Sequence, residues 1–328
     1  MTISDSGACP GLLPAAVTCA ADLTICSGVG YPPEGGMSGN QAVEATSDGR
    51  GSVVLSCHRA DVGPPLLNFL FVPTRSGFVS KAGLGVDVRP LDDGFVVSEG
   101  SYILPPPSYD FIAHDGDLRK GQRGGTLYAS ATRAVIVRLT NGEIVAQSFS
   151  AAGELAATAT VASFSGYPGS LMLGGAMNAS GATLVIWQVY GESKATARWL
   201  AADGTPATAP FSIDGWKSDV PHTRTLAGGS IAIAAEPPSG VYILRWRGVI
   251  APDETVERPA PAWLAARGGF LLLPEGKAMA FGAEILAADG TICGTVDLGA
   301  PLVGIGLDGT AFAARNERTF RIYPQLFR

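Results

Sequence analysis

Short apolar runs of strand length, separated by turns that contain glycine, repeat along the whole chain of 328 residues. None of the runs keeps the 3.6-residue period of an amphipathic helix. The clearest series predicts strands at 125–131, 133–139, 143–149 and 154–161. The next series predicts strands at 169–176, 182–190, 194–201 and 205–213. The pattern therefore indicates an all-β protein built from antiparallel hairpins.

The turns between these runs are marked by eight Asp-Gly or Asn-Gly pairs, which begin at Asp48, Asp93, Asp115, Asn141, Asp203, Asp214, Asp289 and Asp308. Such pairs favour two-residue hairpin turns of type I′, in which both central residues have a positive φ. We therefore expect a positive φ at the Asp or Asn as well as at the glycine.

A glycine followed by a short apolar strand recurs seven times, at Gly51, Gly94, Gly125, Gly169, Gly229, Gly269 and Gly309. The intervals are 43, 31, 44, 60, 40 and 40 residues, with a mean of 43. A second landmark, Leu-Ala-Ala-Asp-Gly-Thr, begins at Leu200 and again at Leu286, 86 residues or two periods later. This period is typical of four-stranded propeller blades. We interpret each glycine as the start of the first strand of a blade.

On this repeat, the chain from about residue 40 to 328 resembles a seven-bladed β-propeller. The resemblance rests on period and pattern, because the sequence has no WD40, kelch or Asp-box motif. We predict a single seven-bladed β-propeller closed by an N-terminal strand, with a Cys/Gly/Pro-rich extension at 1–39 and the propeller at 40–328. Only 20 residues reach from Gly309 to the C-terminus, so a strand within Asn40 to Ser47 is expected to complete the last blade. Two packed β-sandwiches are the alternative fold.

Composition excludes several classes of protein and partner. Hydrophobic residues make up 46% and charged residues 16%, with Gly 43 and Pro 23, which excludes a disordered, coiled-coil or mainly helical chain. The net charge is −6 without a basic stripe, so nucleic acid is not an expected partner. The longest apolar stretch, Leu66 to Val72, is too short to span a membrane. We expect a monomer.

Five cysteines lie at positions 9, 19, 26, 57 and 293. We expect disulfide bonding among Cys9, Cys19, Cys26 and Cys57, with the pairing open, and a buried free thiol at Cys293. The spacings do not match a zinc site, so neither a metal nor a cofactor is expected. The segment Met1 to Gly30 has neither a basic n-region nor an apolar h-region. The Ala/Gly/Ser/Thr-rich, Lys-poor composition favours a secreted or periplasmic protein whose signal has been removed, and a cytoplasmic one is the alternative.

Aromatic residues point to a ligand-binding face. Tyr167, Trp216 and Trp263 fall where one blade connects to the next, and such connections often carry function. Their rings could stack on a sugar or a peptide, or could simply cover the ends of their own blades. Trp187, Trp199 and Trp246 lie in predicted strands and are expected to pack between blades.

Charged residues directly before the predicted first strands form a second candidate set, which consists of Arg50, Asp93, Arg123, Arg267 and Asp308. At the rim of a central channel, the three arginines could bind a carboxylate or sulfate through their guanidinium forks. The alternative is that they form ordinary solvated ion pairs with Asp93 and Asp308.

Catalytic signals are weak. The three histidines, His58, His114 and His222, occupy different positions in the repeat, and no G-x-S-x-G motif is present. We therefore predict a non-catalytic binding module for a carbohydrate or peptide, using Tyr167, Trp216 and Trp263 with Arg50, Arg123 and Arg267. The alternatives are a hydrolase or lyase acting on a polysaccharide or small molecule, with His222 as the proton carrier, and a scaffold that binds a protein partner.

Overall fold

The computed structural model describes residues 2–24, 41–58, 67–74, 77–84, 87–99, 108–122, 124–166, 171–178, 180–192, 194–213, 222–225, 231–235, 245–250, 271–272, 278–281, 283–287, 291–316 and 319–327. These ranges contain 28 strands and no helix, which confirms the all-β prediction. Across the same ranges, no helix has the length and apolar character that crossing a membrane requires.

Contacts between residues divide the chain into two compact units. The first combines Met1–Arg123 with Leu271–Arg328, and the second is Gly124–Phe270. Each sheet belongs to one unit only.

The second unit holds three antiparallel sheets of consecutive strands. The first comprises β11 (Thr126–Ala129), β12 (Arg133–Thr140), β13 (Glu143–Ser150) and β14 (Leu155–Ser163). The second comprises β15 (Leu171–Met177), β16 (Thr183–Val189), β17 (Ala195–Leu200) and β18 (Phe211–Ile213), and the third β19 (His222–Thr225), β20 (Ile231–Ala235) and β21 (Arg245–Ile250). The strands predicted between 125 and 201 are confirmed, with ends that differ by at most two residues. The strand predicted at 205–213 is shorter, because it begins only at Phe211.

The first unit holds four sheets. Two consist of consecutive strands: β3 (Gln41–Ser47), β4 (Val53–His58), β5 (Leu67–Thr74) and β6 (Gly77–Leu84), then β7 (Asp87–Leu91), β8 (Gly94–Glu99), β9 (Ser108–Ala113) and β10 (Leu118–Gln122). The others end in an N-terminal strand, with the orders β22-β23-β24-β25-β1 and β26-β27-β28-β2. Their strands are β1 (Thr2–Asp5), β2 (Ala21–Thr24), β22 (Leu271–Leu272), β23 (Ala278–Phe281), β24 (Glu284–Ala287), β25 (Ile292–Asp297), β26 (Leu302–Ile305), β27 (Ala311–Asn316) and β28 (Thr319–Tyr323).

The N-terminal segment completes two C-terminal sheets. β1 pairs with β25 and β2 pairs with β28, both antiparallel. The expectation that a strand within Asn40 to Ser47 completes the last sheet is therefore wrong, because Gln41–Ser47 forms β3 and pairs with β4 instead. The physical reason is that the last sheet already has three strands of its own, since β26 begins seven residues before Gly309.

The seven glycine landmarks do not all precede the same strand. Gly125 precedes β11, the first strand of its sheet, whereas Gly51 and Gly309 precede β4 and β27, the second strands of theirs. Gly94 begins β8, which is also a second strand. The interpretation that each landmark opens a first strand is therefore wrong. Two structural demands produce the same sequence pattern, because glycine is required in the turn before a second strand and also at a close contact before a first one.

One five-residue turn explains Gly51 and Gly309, and it also occurs before other strands, whereas Gly94 lies outside it. In this turn, the N–H of the first residue donates to the carbonyl of the fifth residue. The fourth residue is a glycine, and its N–H donates to the carbonyl of the first residue. It recurs at 48–52, 113–117, 150–154, 178–182, 201–205 and 306–310, and the fourth glycine has a φ between +79° and +92°. Within the described residues, the only Asp or Asn with positive φ is Asn141, whose turn with Gly142 is as predicted. Type I′ is wrong for the turns at Asp48, Asp93, Asp115, Asp203 and Asp308.

We expect Gly181→Ala to lower the free energy of unfolding by about 1 kcal/mol, because alanine tolerates the positive φ poorly. Gly181 has a φ of +85°, and a Cβ there would lie 3.4 Å from Cδ of Arg133, which is an ordinary contact. Gly181→Asn should therefore cost less than Gly181→Ala, since asparagine enters the left-handed region more readily. Urea unfolding of the two variants measures the difference, and an equal loss would contradict this account of the turn.

A disulfide joins the two ends of the chain. Cys9, in the segment after β1, is bonded to Cys293 in β25, 284 residues away. Cys19 is a free, half-buried cysteine. The prediction of a buried free thiol at Cys293 is therefore wrong, because the pairing of β1 with β25 brings Cys9 onto it. Cys26 lies outside the described residues.

Packing between sheets forms the cores. In the second unit, Trp187 of β16 is 6% exposed and packs with apolar residues of β11, β12 and β13, as predicted. Trp199 of β17 is 1% exposed and packs with apolar residues of its own sheet and of the segment beside it. The side chain of Trp246 lies outside the described residues. In the first unit, β3 packs against β26 and β27, with Phe312 and Phe320 fully buried between them.

Candidate functional site

One end of the β15–β18 sheet gathers an exposed aromatic residue and the chain connections that the sequence analysis singled out. Strand pairing places Leu171 opposite Val189 and Ala195 opposite Ile213, so these four residues share that end. Tyr190 follows Val189 in the turn between β16 and β17 and is 78% exposed. We call this region the aromatic end of the sheet.

The turn that carries Tyr190 is well ordered by hydrogen bonds. The N–H of Glu192 donates to the carbonyl of Val189 at 3.0 Å, and Gly191 has a φ of +91°. Nε2 of Gln188 donates to the carbonyl of Glu192 at 2.7 Å, and its Oε1 is buried without a partner in the described residues. The turn therefore exposes a large ring to solvent two residues after a Gln188 side chain whose amide holds the turn.

Two predicted ligand-binding residues adjoin this end along the chain. Tyr167 falls in the connection that leads into β15 at Leu171, and Trp216 in the connection that leaves β18 at Ile213. Both residues, with Trp263, Arg123 and Arg267, lie outside the described residues. Tyr190 was not predicted as a site residue, because the apolar pattern assigns it to the end of a strand; the adjacent glycine before the next apolar run was the signal of a turn.

A second arrangement, the charged turn cluster, lies in the first unit. It consists of Arg50, Asp93 and Arg119, with Asp48 and Asp308. Nη1 of Arg50 donates to Oδ1 of Asp93 at 2.6 Å, and Nη2 of Arg119 donates to Oδ2 of Asp93 at 2.5 Å. These bonds, from Arg50 and then Arg119, lower the pKa of Asp93. Asp93 thus fills the position that an external oxyanion would take beside Arg50.

The position of this cluster differs from the predicted one. Arg50 lies in the turn between β3 and β4, Asp93 in the turn between β7 and β8, and Asp308 in the turn between β26 and β27. They precede second strands, so the expectation that they precede first strands is wrong. The cause is the shared glycine pattern of the two kinds of turn.

Asp48 is the buried member of the cluster. Its Oδ1 accepts hydrogen bonds from the N–H groups of Arg50 at 3.0 Å and Ser52 at 2.8 Å, while Oδ2 has no partner in the described residues. Burial raises the pKa of Asp48 to about 7 against the backbone hydrogen bonds that lower it, and the charge of Asp308 raises it further. The site therefore holds a carboxyl group that is protonated below neutral pH.

Asp308 joins the β3–β4 turn to the last sheet. Its carboxylate accepts hydrogen bonds from the hydroxyls of Ser47 and Thr310 and from the N–H of Thr310. The N–H of Leu307 also donates to the carbonyl of Ser47 at 3.0 Å. Two carboxyl groups, Asp48 and Asp308, are thus held where the first complete sheet meets the C-terminal one.

The three histidines lie on different elements. His58 ends β4 and His222 begins β19, and His114 lies in the turn between β9 and β10. The hydroxyl of Ser52 donates to the carbonyl of His114, so this residue contributes its backbone to the charged turn cluster. The described ranges contain no group of three His, Cys, Asp or Glu side chains placed to hold a metal ion.

Comparisons with known proteins bear on the fold. No model of a known family matches the chain, and no curated protein matches it. The chain is similar to hydrazine synthase of Kuenenia stuttgartiensis, with a TM-score of 0.51 and 12% identity over 91% of this chain and 100% of that one. It is also similar to a prolyl endopeptidase structure, with a TM-score of 0.50 and 10% identity over 83% of this chain and 45% of that one.

This chain thus corresponds to less than half of the prolyl endopeptidase chain. At these identities the likeness concerns the fold and not the activity. Both neighbours are β-propeller-like proteins, and the chain itself consists of small antiparallel sheets. The comparisons therefore support a β-propeller fold for this chain.

Proposed function

We propose that the protein is a non-catalytic binding module that holds a carbohydrate or peptide on the aromatic end of the β15–β18 sheet. Tyr190, Tyr167, Trp216 and Trp263 supply the rings. The observation that carries the proposal is the 78% exposure of Tyr190 at the end where the connection holding Tyr167 reaches the sheet and the connection holding Trp216 leaves it. Aromatic rings in solvent offer flat apolar faces, and each contributes about 1 kcal/mol in stacking beyond the area buried.

Arginines supply the polar contacts in this proposal. Arg123 and Arg267 come shortly before β11 and β22, the first strands of their sheets. Their guanidinium groups would bind a carboxylate or sulfate on the ligand. Arg50 is assigned to the charged turn cluster instead, because Asp93 already neutralises it.

The proposal includes the full architecture. Residues 40–328 form a seven-bladed propeller, and the extension at 1–39 supplies the strands that close it. Seven sheets in the described residues and the pairing of β2 with β28 support this reading. An extracytoplasmic location is part of the proposal and is supported by the Cys9–Cys293 disulfide, since such bonds persist in oxidising compartments.

Glycan and peptide arrays test the proposal with the full chain. We expect wild type to bind one ligand class, Trp216→Ala/Trp263→Ala to lose the signal, and Tyr190→Ala to bind about fivefold more weakly. Leu155→Ala is the matched control, because Leu155 is also an exposed apolar residue, at 51%, but lies in another sheet. It follows the turn at 150–154, outside the proposed binding region. Melting temperatures should be unchanged in all variants.

Two outcomes contradict this proposal. A signal that survives the tryptophan double variant places the site elsewhere. No signal from wild type removes the carbohydrate or peptide ligand and turns attention to hydrolase or lyase substrates, with His222→Ala as the variant, or to capture of a protein partner.

A further inference from the structure

The turn between β12 and β13 differs from the five-residue turns described above. Thr140 pairs with Glu143, which leaves Asn141 and Gly142 as a two-residue turn. Asn141 has a φ of +52° and Gly142 a φ of +78°, as a type I′ turn requires. Among the asparagines of the sequence, Asn141 is the only one that a glycine follows.

The side chain of Asn141 is exposed, and among the described residues it has no hydrogen-bond partner. In the five-residue turns, by contrast, the side-chain oxygen of an Asp or Asn accepts a backbone N–H two or four residues ahead. This bond is present at Asp48, Asp115, Asn178, Asp203 and Asp308. Such a bond restrains the carboxyl or amide carbon. The amide carbon of Asn141 is not restrained in this way.

The backbone nitrogen of Gly142 is accessible to that amide carbon. Gly142 has no side chain to shield its nitrogen, and in the described part of the chain its N–H donates to no carbonyl. The space around the turn is open as well, since a Cβ on Gly142 would lie no closer than 3.6 Å, from the carbonyl oxygen of Gly166.

We propose that Asn141 is a site of spontaneous covalent modification, at which asparagine is converted into aspartate and isoaspartate. The backbone nitrogen of Gly142 attacks Cγ of Asn141, so that a bond between them forms while the Cγ–Nδ2 bond breaks. Nδ2 leaves as ammonia, together with the proton that the Gly142 nitrogen loses. The product of this step is a cyclic imide.

Water completes the reaction by opening the imide. Cleavage of the bond from the nitrogen to Cγ gives aspartate, and cleavage of the bond to the main-chain carbonyl carbon of Asn141 gives isoaspartate. One water is consumed and one ammonia is released overall, and nothing is oxidised or reduced. Ring closure requires the main chain at Asn141 to rotate out of the closed turn, so the reaction proceeds from molecules in which the exposed tip of the hairpin has opened locally.

The modification changes the end of the sheet that this turn holds. The carbonyl of Gly142 accepts the N–H of Phe164 at 2.9 Å, and Oε1 of Glu143 accepts the hydroxyl of Ser163 at 3.1 Å. Both products add a negative charge close to Glu143, and isoaspartate also lengthens the main chain by one carbon. We therefore expect the amide hydrogen of Phe164 to exchange faster in the modified protein.

Peptide mapping by mass spectrometry, after incubation of the folded full chain at mildly alkaline pH, tests the proposal. We expect Asn141 to convert about tenfold or more faster than Asn178, which is 1% exposed and held in its turn. In water enriched in heavy oxygen, both products should take up one labelled oxygen atom. A parallel incubation in urea gives the rate at Asn141 in the unfolded chain.

Two variants test the roles of the two turn residues. Gly142→Ala should convert more slowly, because a Cβ shields the attacking nitrogen, and Asn141→Gln should remain unmodified, because its longer side chain closes a ring far more slowly. Gly181→Ala is the matched control, since Gly181 has a similar φ of +85° in another turn, and it should leave the rate at Asn141 unchanged. Circular dichroism verifies that each variant is folded.

Three results would overturn the proposal. The first is that Asn141 keeps its amide in the folded chain although it converts in urea, which would mean that the turn protects it. The second is conversion of Asn178 as fast as Asn141 in the folded chain. The third is a wild-type rate in folded Gly142→Ala.

Discussion

Removing the disulfide with Cys9→Ala/Cys293→Ala should cause the largest loss of stability of any change proposed for this chain. The bond closes a loop of 284 residues in sequence separation. In the chain-entropy account, a cross-link over so long a loop restricts the unfolded chain strongly and contributes up to about 6 kcal/mol. We therefore expect a clearly lower melting temperature for the double variant.

The loss should begin in the N-terminal segment. Near the disulfide, Ser6 holds this segment, because its hydroxyl donates to the carbonyls of Ile292 at 2.9 Å and Cys293 at 2.7 Å. Short strands, the ion pairs of Asp22 and apolar contacts hold the rest. Hydrogen exchange in β1 should accelerate in the double variant before exchange in β12 and β13 does. Cys19→Ala is the matched control, since Cys19 is half-buried and forms no disulfide. Equal melting temperatures for the two variants would show that the bond adds no stability.

Asp48→Asn should stabilise the protein above neutral pH and leave it nearly unchanged in acid. The pKa of Asp48 is about 7 in the folded chain and about 3.9 in the unfolded chain. Between these values the folded state holds one proton more than the unfolded state, so stability falls as pH rises from about 4 to about 7 and then levels off. The difference in pKa corresponds to a loss on the order of 4 kcal/mol.

The asparagine can replace the aspartate without losing the turn. Asn178 occupies the same place in the turn between β15 and β16, where its Oδ1 accepts from the N–H of Ala182 at 2.9 Å. This bond matches the one from Ser52 to Asp48. Urea unfolding of wild type and Asp48→Asn from pH 4.5 to 8.5 measures the effect.

Asp203→Asn is the control for the pH dependence. Asp203 lies in the same kind of turn, but its pKa is lowered, first by the hydroxyl of Thr205 and then by its N–H. It therefore stays ionised over the range measured, and the variant should keep the wild-type slope. If Asp48→Asn keeps the wild-type dependence of the free energy of unfolding on pH, Asp48 is ionised over the whole pH range measured.

The sequence predicted local structure well where a pattern depends on neighbours in the chain. Strands β11 to β17 follow from alternation and turn glycines, and Trp187 and Trp199 were recognised as core residues. The same information could not say which strand a glycine precedes, because Gly51 and Gly125 look alike although one closes a turn and the other meets the backbone of Val137.

Contacts between residues far apart in the chain could not be predicted from the sequence. Nothing near Cys293 indicates Cys9 as its partner, because their contact depends on the pairing of β1 with β25. Asp48 and Asp203 are each followed by a glycine in the sequence, yet Asp48 is buried near Asp308 and Asp203 is exposed. For the candidate site, the sequence located the connections with Tyr167 and Trp216 but assigned Tyr190 to a strand.

The pairing of the first 24 residues with strands near the C-terminus also determines the order of events during synthesis. β1 and β2 are made before their partners, because β25 and β28 follow about 290 to 300 residues later in the chain. At about 5–20 residues per second, the two strands wait for tens of seconds without partners. Throughout that time the nascent chain exposes their edges, and the two sheets gain their last strands only after β25 and β28 have been made.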